Sequence, residues 1–322
     1  MRVAVLSGGR SSEHEVSLES GKAVAQGLAE AGHEALAVLI SREGRWTHEG
    51  EPLALEPAGG LLGADAVFPV LHGPFGEDGS VQGLLECLDV PYVGPGVLAA
   101  AVAMDKLVFK RLCAFHGLPQ VEFCEVGEDG WRELAGAMGS PLWVKPSRLG
   151  SSVGISKVSS VEAELDDAVA LALRHDPRVI VEAHGDGLEV ECSVMGNDEL
   201  QISLPGQIAT GADWYDYEAK YSEGGMELLV PAPIGDEATA RLTDLARRVF
   251  EIVGASGLAR CDFFVRDSGE VLVNEINTIP GFTSTSVFAK LFEASGVPYP
   301  EVCDRLVGLA VARYEVERSF EF

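Results

Sequence analysis

Arg260-Cys261-Asp262, inside the apolar run Leu258 to Val265, and Asn274-Glu275-Ile276-Asn277, closing the run that opens at Val271, decide how this chain is read. Both runs have the length and the bulky apolar content of strands. Side chains alternate along a strand, so Arg260 shares a face with Asp262, and Glu275 with Asn277, while Cys261 and Ile276 turn into a core. Paired side by side, the two strands present two carboxylates, an amide and a guanidinium together. Hard oxygen donors of this kind suit Mg2+, which keeps several waters and shares the rest of its shell with phosphate oxygens. A solvated strand face with a surface ion pair uses the same residue types. The apolar positions run out of phase with Asp262, Glu275 and Asn277, and that favours the metal reading.

Upstream of this pair the chain divides in two. Val3-Ala4-Val5-Leu6 is a short apolar run ended by Gly8-Gly9, as in a buried parallel strand feeding a turn. A helix over Leu18 to Ala31 stops at Gly32; strands follow at Glu34 to Ile40 and Ala64 to Val70, then a helix at Gly79 to Leu88. Such alternation implies a parallel sheet with helices on its faces. Tyr92-Val93-Gly94-Pro95-Gly96 breaks the pattern and marks a domain boundary. Beyond it come helices near Met104 to Phe115 and Gly130 to Met138, a strand Leu142 to Lys145, a Gly/Ser loop and a strand Val153 to Lys157. Ser159 and Glu162 form a capping box opening a helix to about Arg174. Strands at Val179 to Ala183, Leu188 to Met195 and Leu200 to Leu204 precede Pro205 to Gly225, which has no periodicity. A structureless loop of that length is usually functional, and a lid is expected within it, at Asp213 to Tyr221. A helix over Ala238 to Val253 leads back to the strand pair, and two helices close the chain. The expected fold class is α/β and α+β: an N-terminal parallel α/β domain over residues 1–95, then two α+β subdomains over 96–182 and 183–322, the lid in the last.

Composition narrows the partners. The 322 residues carry 24 Lys and Arg against 50 Asp and Glu, a formal charge of −26. Nucleic acid and anionic membrane surfaces call for a basic face, so neither is expected as a partner. A polyphosphate would have to be met by a few placed cations. Lysine is scarce, at Lys22, Lys106, Lys110, Lys145, Lys157, Lys220 and Lys290 only, which makes each lysine inside a motif informative. Six scattered cysteines without a C-x-x-C pair read as small buried hydrophobes in a reducing cytoplasm, not as a zinc site. The apolar stretch Val3 to Leu6 is too short for a signal peptide, and Val97 to Met104 is stopped by Asp105, far short of a membrane span.

Further stretches can carry chemistry, each with a plainer alternative. Lys145-Pro146 through Gly150-Ser151-Ser152-Val153-Gly154 places a lysine at a strand end before small residues whose N–H groups can cradle phosphate; it can equally be an ordinary turn, and it lacks P-loop spacing. Gly8-Gly9 lacks the spacing of a dinucleotide site. Glu13 can serve a ligand or simply favour a helix N-terminus. His72, before Gly73, can act or merely end a strand. The tyrosines of Tyr215 to Tyr221 can line a site or anchor the loop.

Together these stretches resemble the D-alanine–D-alanine ligases of the ATP-grasp group. The residues that carry the likeness are Ser12-Glu13-His14-Glu15-Val16-Ser17, Leu71-His72-Gly73-Pro74-Phe75-Gly76-Glu77-Asp78-Gly79, Met104-Asp105-Lys106, the Lys145 to Gly154 stretch, Tyr215 to Tyr221, and Asn274 through Thr283. They run in the family's order along nearly the whole chain. The resemblance implies a two-subdomain ATP-grasp fold behind the N-terminal domain. It implies a cytoplasmic enzyme that joins two D-alanines for peptidoglycan precursors, through an acyl phosphate and a tetrahedral intermediate, releasing ADP and phosphate. The implied partners are D-alanine and ATP, with a homodimer allowed. By motif, Lys106, Lys145 and Lys220 would hold phosphates, and Glu182 and Glu189 would lie near adenine and ribose. Asp262, Glu275 and Asn277 would hold two Mg2+ ions, with Mn2+ as an acceptable substitute. Glu13 would hold the ammonium of the first D-alanine in a hydrogen-bonded set with Ser151 and Tyr221. Arg260 and the N–H of Gly281 would face the oxyanion, Ser286 the carboxylate of the second D-alanine, and His72 would give polar support or relay a proton. D-lactate or D-serine as second substrate, and a nucleotide-binding regulator without catalysis, remain the competing expectations.

Overall fold

The computed structural model describes residues 1–209 and 227–321. The first sheet is built on β1 (Arg2–Gly8), buried from its second residue onward. It is followed by α1 (His14–Glu30), β2 (Glu34–Ile40), β3 (Trp46–His48), β4 (Glu51–Pro52), β5 (Ala66–Pro69) and α2 (Ser80–Leu88). The strand order is β4-β3-β2-β1-β5, with β2 and β5 parallel to β1. The expected parallel core is present; the short antiparallel ribbon β3–β4 at its edge has no counterpart in the sequence reading. The turn into α1 needs glycine: Gly8 has φ +93°, and a Cβ there would stand 2.3 Å from the Ile40 carbonyl oxygen.

The second sheet follows α3 (Val97–Met104) and α4 (Lys106–Phe115). It holds β6 (Phe123–Glu125), β7 (Leu142–Pro146), β8 (Ser156–Val158) and β9 (Val179–Ala183), in the order β6-β9-β7-β8, with α5 (Trp131–Met138) and α6 (Val161–Ala172) between them in sequence. Leu142, Val144 and Val181 pack with Leu165 and Val169 of α6 on one face, leaving the other to the cleft. The third sheet holds β10 (Leu188–Gly196), β11 (Gln201–Ile202), β12 (Gly206–Ala209), β13 (Glu227–Leu229), β14 (Gly257–Val265) and β15 (Val271–Asn277); α7 (Gly235–Ile252) covers one face through Leu242, Ala246, Val249 and Phe250.

Three elements depart locally from the expected ones. Asp105 caps a helix by accepting the Val108 N–H at 3.2 Å, so the helix expected near Met104 to Phe115 begins at Lys106, and a separate helix, α3, ends at Met104. The expected Ser159/Glu162 box is displaced: α6 starts at Val161, and Glu164, not Glu162, takes the Ser159 N–H at 2.8 Å. Gly206 to Ala209, inside the expected loop, pairs with β10 as a strand. Finally α8 (Val287–Ala294) and α9 (Tyr299–Arg318) return to the first sheet, where Phe288, Val302 and Leu306 share a core with Val3, Val5 and Leu28. The crossing of α1 and α9 is close: a Cβ on Gly27 would meet Tyr299 Cε1 at 2.8 Å. No helix among the described residues is long and apolar enough to cross a membrane.

Candidate active site

β14 and β15 are antiparallel neighbours, with Arg260 opposite Asn277, Cys261 opposite Ile276 and Asp262 opposite Glu275. Cys261 and Ile276 belong to the core under α7, so the polar residues stand on the other face, as their alternation requires. The Arg260 fork donates from Nε to Asp262 Oδ1 at 2.8 Å and from Nη2 to Oδ2 at 2.7 Å. Glu191 of β10 lies 2.9 Å from the same Nε, and Asn277 Nδ2 donates to Asp262 Oδ2 at 3.0 Å. Burial works against the guanidinium charge, but Asp262 and Glu191 outweigh it and hold the Arg260 pKa well above its ordinary value. Its orientation is therefore set before any ligand arrives.

Lys106 and Lys110 lie one turn apart on α4 and so share a face. Lys106 Nζ donates to the Leu149 carbonyl at 2.7 Å and stands 3.9 Å from Glu275 Oε2. Lys145 of β7 lies 2.6 Å from Glu182 Oε2, and Lys110 lies 2.8 Å from the other oxygen, an ion pair without the angles of a hydrogen bond. Burial alone would push the Glu182 carboxyl up; the two ammoniums hold it down at about 2. Burial likewise opposes charge on Lys145, and Glu182 more than restores it, so its pKa is raised.

The loop after β7 brings the N-terminal domain in. Ser151 and Ser152 have φ of +52° and +59°, a left-handed conformation costing non-glycine residues roughly 1–2 kcal/mol each. Strain of this kind collects where a side chain must be aimed. Here it aims the Ser151 hydroxyl at Glu13 Oε1, to which it donates a very short hydrogen bond. Glu13 itself stands at the N-cap position of α1. His72 is buried: Nδ1 must donate to the Ile279 carbonyl at 3.0 Å, which leaves Nε2 to accept from Ser20 Oγ at 3.2 Å. Burial lowers its pKa despite Glu13, so the ring is neutral with both nitrogens engaged. Glu77 accepts the Gly73 N–H at 2.7 Å and the Ile279 N–H at 3.2 Å, tying the loop after β5 to the loop after β15. Burial, helped by Glu13, pushes its carboxyl up to about 8.

Two cavities meet in this region, of about 200 Å3 and 600 Å3, and Lys106, Ser151, Arg260 and Glu275 line both. Lys145, Glu182, Glu189 and Asp262 belong to the smaller. Glu13, His72, Asn277, Gly281 and Ser286 belong to the larger. Ser286 precedes α8 and accepts the Thr283 N–H at 3.0 Å. Lys220, Tyr221 and the expected lid from Asp213 to Tyr221 lie outside the described residues. Every other expected site residue falls on these cavities. Glu182, expected beside adenine and ribose, lines the smaller cavity with its carboxylate paired to two lysines. Sequence reading missed Glu77, Glu191 and Lys110 as site residues. Glu191 stands in strand phase with Glu189, and Lys110 in helix phase with Lys106, so both carried a readable signal.

The charge balance bears on a metal. Around the smaller cavity Lys106, Lys145 and Arg260 face Glu182, Glu189, Glu191, Asp262 and Glu275. A triphosphate entering that surplus of negative charge needs divalent cations beside it. Directly opposed carboxylates on neighbouring strands repel one another, and a cation between them relieves this. No three His, Cys, Asp or Glu among the described residues form a complete metal site. The pair Asp262 and Glu275 with the Asn277 amide is the oxygen-rich partial shell that Mg2+ fits, completed by phosphate and water.

Two sheets enclosing a cleft with lysines on one side and strand-borne carboxylates on the other, behind an α/β domain, define an ATP-grasp enzyme. Likeness to known proteins narrows the class further. The family model described as D-ala D-ala ligase N-terminus matches residues 2–95, and the one described as D-ala D-ala ligase C-terminus matches 112–308. This chain belongs to the D-alanine–D-alanine ligase family. A D-alanine--D-alanine ligase of Deinococcus radiodurans is 45% identical over 334 residues, covering 96% of this chain and 98% of that protein. One from Halothermothrix orenii is 40% identical, covering 97% and 98%. Among solved structures, the D-alanine-D-alanine ligase of Coxiella burnetii matches with TM-score 0.89 and 34% identity, covering 99% of this chain and 96% of that one. A D-Ala:D-Ser ligase of Enterococcus faecalis matches with TM-score 0.86 and 34% identity, covering 96% and 99%.

Proposed function

We propose that the protein joins two molecules of D-alanine into D-alanyl-D-alanine for peptidoglycan precursors, converting ATP to ADP and phosphate. The observation that supports this reading is the junction of the two cavities at Lys106, Ser151, Arg260 and Glu275, which would let a nucleotide phosphate in one meet an amino acid in the other. A carboxylate does not react with an amine in water, so the first D-alanine must be activated. Its carboxylate oxygen attacks the γ-phosphorus, the bond to the β-phosphate oxygen breaks, and an acyl phosphate and ADP result. Two anions approach in that step; Lys106 and Lys145 would offset their repulsion, and Glu13 would hold the ammonium of the attacking D-alanine. Mg2+ ions on Asp262, Glu275 and Asn277, with Mn2+ as an acceptable substitute, would supply further neutralisation of phosphate charge. The neutral amine of the second D-alanine then adds to the acyl carbon, and its nitrogen gives up a further proton to solvent as the C–N bond forms. The resulting oxyanion is met by Arg260 and the Gly281 N–H, and phosphate departs. Ser286, beside the N-terminus of α8, would meet the carboxylate of the second substrate.

The divisions at 1–95, 96–182 and 183–322 suit this chemistry, with the last two enclosing the nucleotide and the first joining the last around D-alanine. We place the protein in the cytoplasm, where ATP is supplied. The equal identity to the Enterococcus faecalis D-Ala:D-Ser ligase supports a second reading, in which D-serine or D-lactate is the second substrate. Release of ADP and phosphate with D-alanine alone, and with D-alanine plus D-serine or D-lactate, tests both. Strong turnover on D-alanine alone supports the first reading; turnover only in a mixture supports the second; none in any combination removes both.

A further inference from the structure

Lys110 takes no part in the mechanism above, yet it is one of only seven lysines and is 2% exposed. Among the described residues its ammonium stands 2.8 Å from Glu182 Oε1 and over the face of Phe123, 5.9 Å from the ring centre. A lysine buried so completely is costly unless something retains it. Glu182 is equally buried, and its second oxygen lies 2.6 Å from Lys145. One carboxylate is thus shared between two ammoniums, one lining the smaller cavity and one behind it. The low Glu182 pKa means the carboxylate stays ionised, so the three groups together carry one positive charge.

We propose that Lys110 is a positioning residue for nucleotide binding: by taking half of Glu182 it leaves Lys145 with charge to offer a phosphate. A Lys145–Glu182 pair alone would be neutral, and Lys145 would be held by its carboxylate. With Lys110 in place, Glu182 fixes where the Lys145 ammonium stands without cancelling it. Glu275 and Glu189, which also act on Lys145, are both negative, so neither supplies that excess. The inference rests on ATP occupying the smaller cavity with its phosphates near Lys145.

The test is a charge cycle read by equilibrium binding of ADP and a non-hydrolysable ATP analogue with Mg2+, without D-alanine. Lys110→Met makes the set neutral and should weaken both nucleotides about tenfold, while adenosine, lacking phosphate, binds as it does to the wild type. Lys110→Arg keeps the charge and should stay near wild type. Lys110→Met/Glu182→Gln restores one positive charge on Lys145 and should return to within about threefold of wild type. If Lys110→Met does not fold, the double variant, which leaves Glu182 without charge and Lys145 as a cation facing the cavity, carries the test. A double variant about tenfold or more weaker than wild type overturns the proposal, as does a Lys110→Met that loses adenosine equally or binds nucleotide normally. Failure of the wild type to bind Mg-nucleotide at all would instead remove the function proposed above.

Discussion

Replacing Arg260 with lysine keeps the charge and removes the fork. In the structure that fork spends two parallel donors on Asp262, at 2.8 and 2.7 Å, and reaches Glu191 at 2.9 Å. A single ammonium on a shorter, flexible stem cannot hold both carboxylates and also face a third oxygen. One oxyanion donor is worth about 3–4 kcal/mol in water-excluded sites, so kcat should fall roughly 100- to 1,000-fold. One charged hydrogen bond lost to Asp262 or Glu191 costs a further 1.5–3 kcal/mol, roughly, in stability. Phosphate release under saturating ATP and D-alanine gives kcat, and urea unfolding gives the stability change. An Arg260→Lys enzyme within about fivefold of wild-type kcat would refute the placement of Arg260 at the reacting centre. A large loss of stability with intact kcat would show the fork to be purely structural.

Asp262→Asn and Glu275→Gln should each cut turnover by roughly 100-fold or more at ordinary Mg2+ while the fold, seen by circular dichroism, survives; normal turnover in either would remove that residue from the metal site. The Glu77 carboxyl, at about 8 in the fold, lies above its unfolded value of 4.5, so the native state holds the proton more tightly. Its stability contribution is complete below pH 4.5 and lost as pH rises towards 8. The melting temperature of wild type should therefore fall across that window more steeply than that of Glu77→Gln, and parallel curves would contradict the buried, proton-retaining carboxyl. Gly27→Ala should lower stability by about 1–3 kcal/mol despite alanine's better helix propensity, because the added methyl meets Tyr299. A stabilised variant would mean that α1 and α9 do not cross there.

Much of this arrangement was legible from residue periodicity. Arg260, Asp262, Glu275 and Asn277 could be put on one face because strand phase leaves no other choice once Cys261 and Ile276 are buried. The parallel strands β1, β2 and β5 and the helices between and after them followed from short apolar runs alternating with helical stretches, whereas the edge ribbon β3–β4 did not. What stayed hidden depends on contacts between distant segments. The return of α9 to the first sheet joins residues at opposite ends of the chain, such as Leu306 and Val3, and no local pattern announces it. The pairing of Glu182 with Lys110 and Lys145 joins three elements, and the same Glu read alone is merely an acid at a strand end. The left-handed Ser151 is a further case, since serine carries no signal for positive φ. Family resemblance supplied roles for Glu13, Ser151 and Gly281 that periodicity could not.

The most direct measurement follows an atom. If a D-alanine carboxylate is activated by phosphorylation, one of its oxygens becomes the bridge to phosphorus and leaves with the phosphate when the amine adds. D-Alanine labelled with 18O in its carboxylate should therefore yield D-alanyl-D-alanine together with phosphate carrying one 18O, in equal amounts with ADP, by mass spectrometry. Dipeptide formed alongside unlabelled phosphate, or phosphate released without dipeptide, would contradict the account.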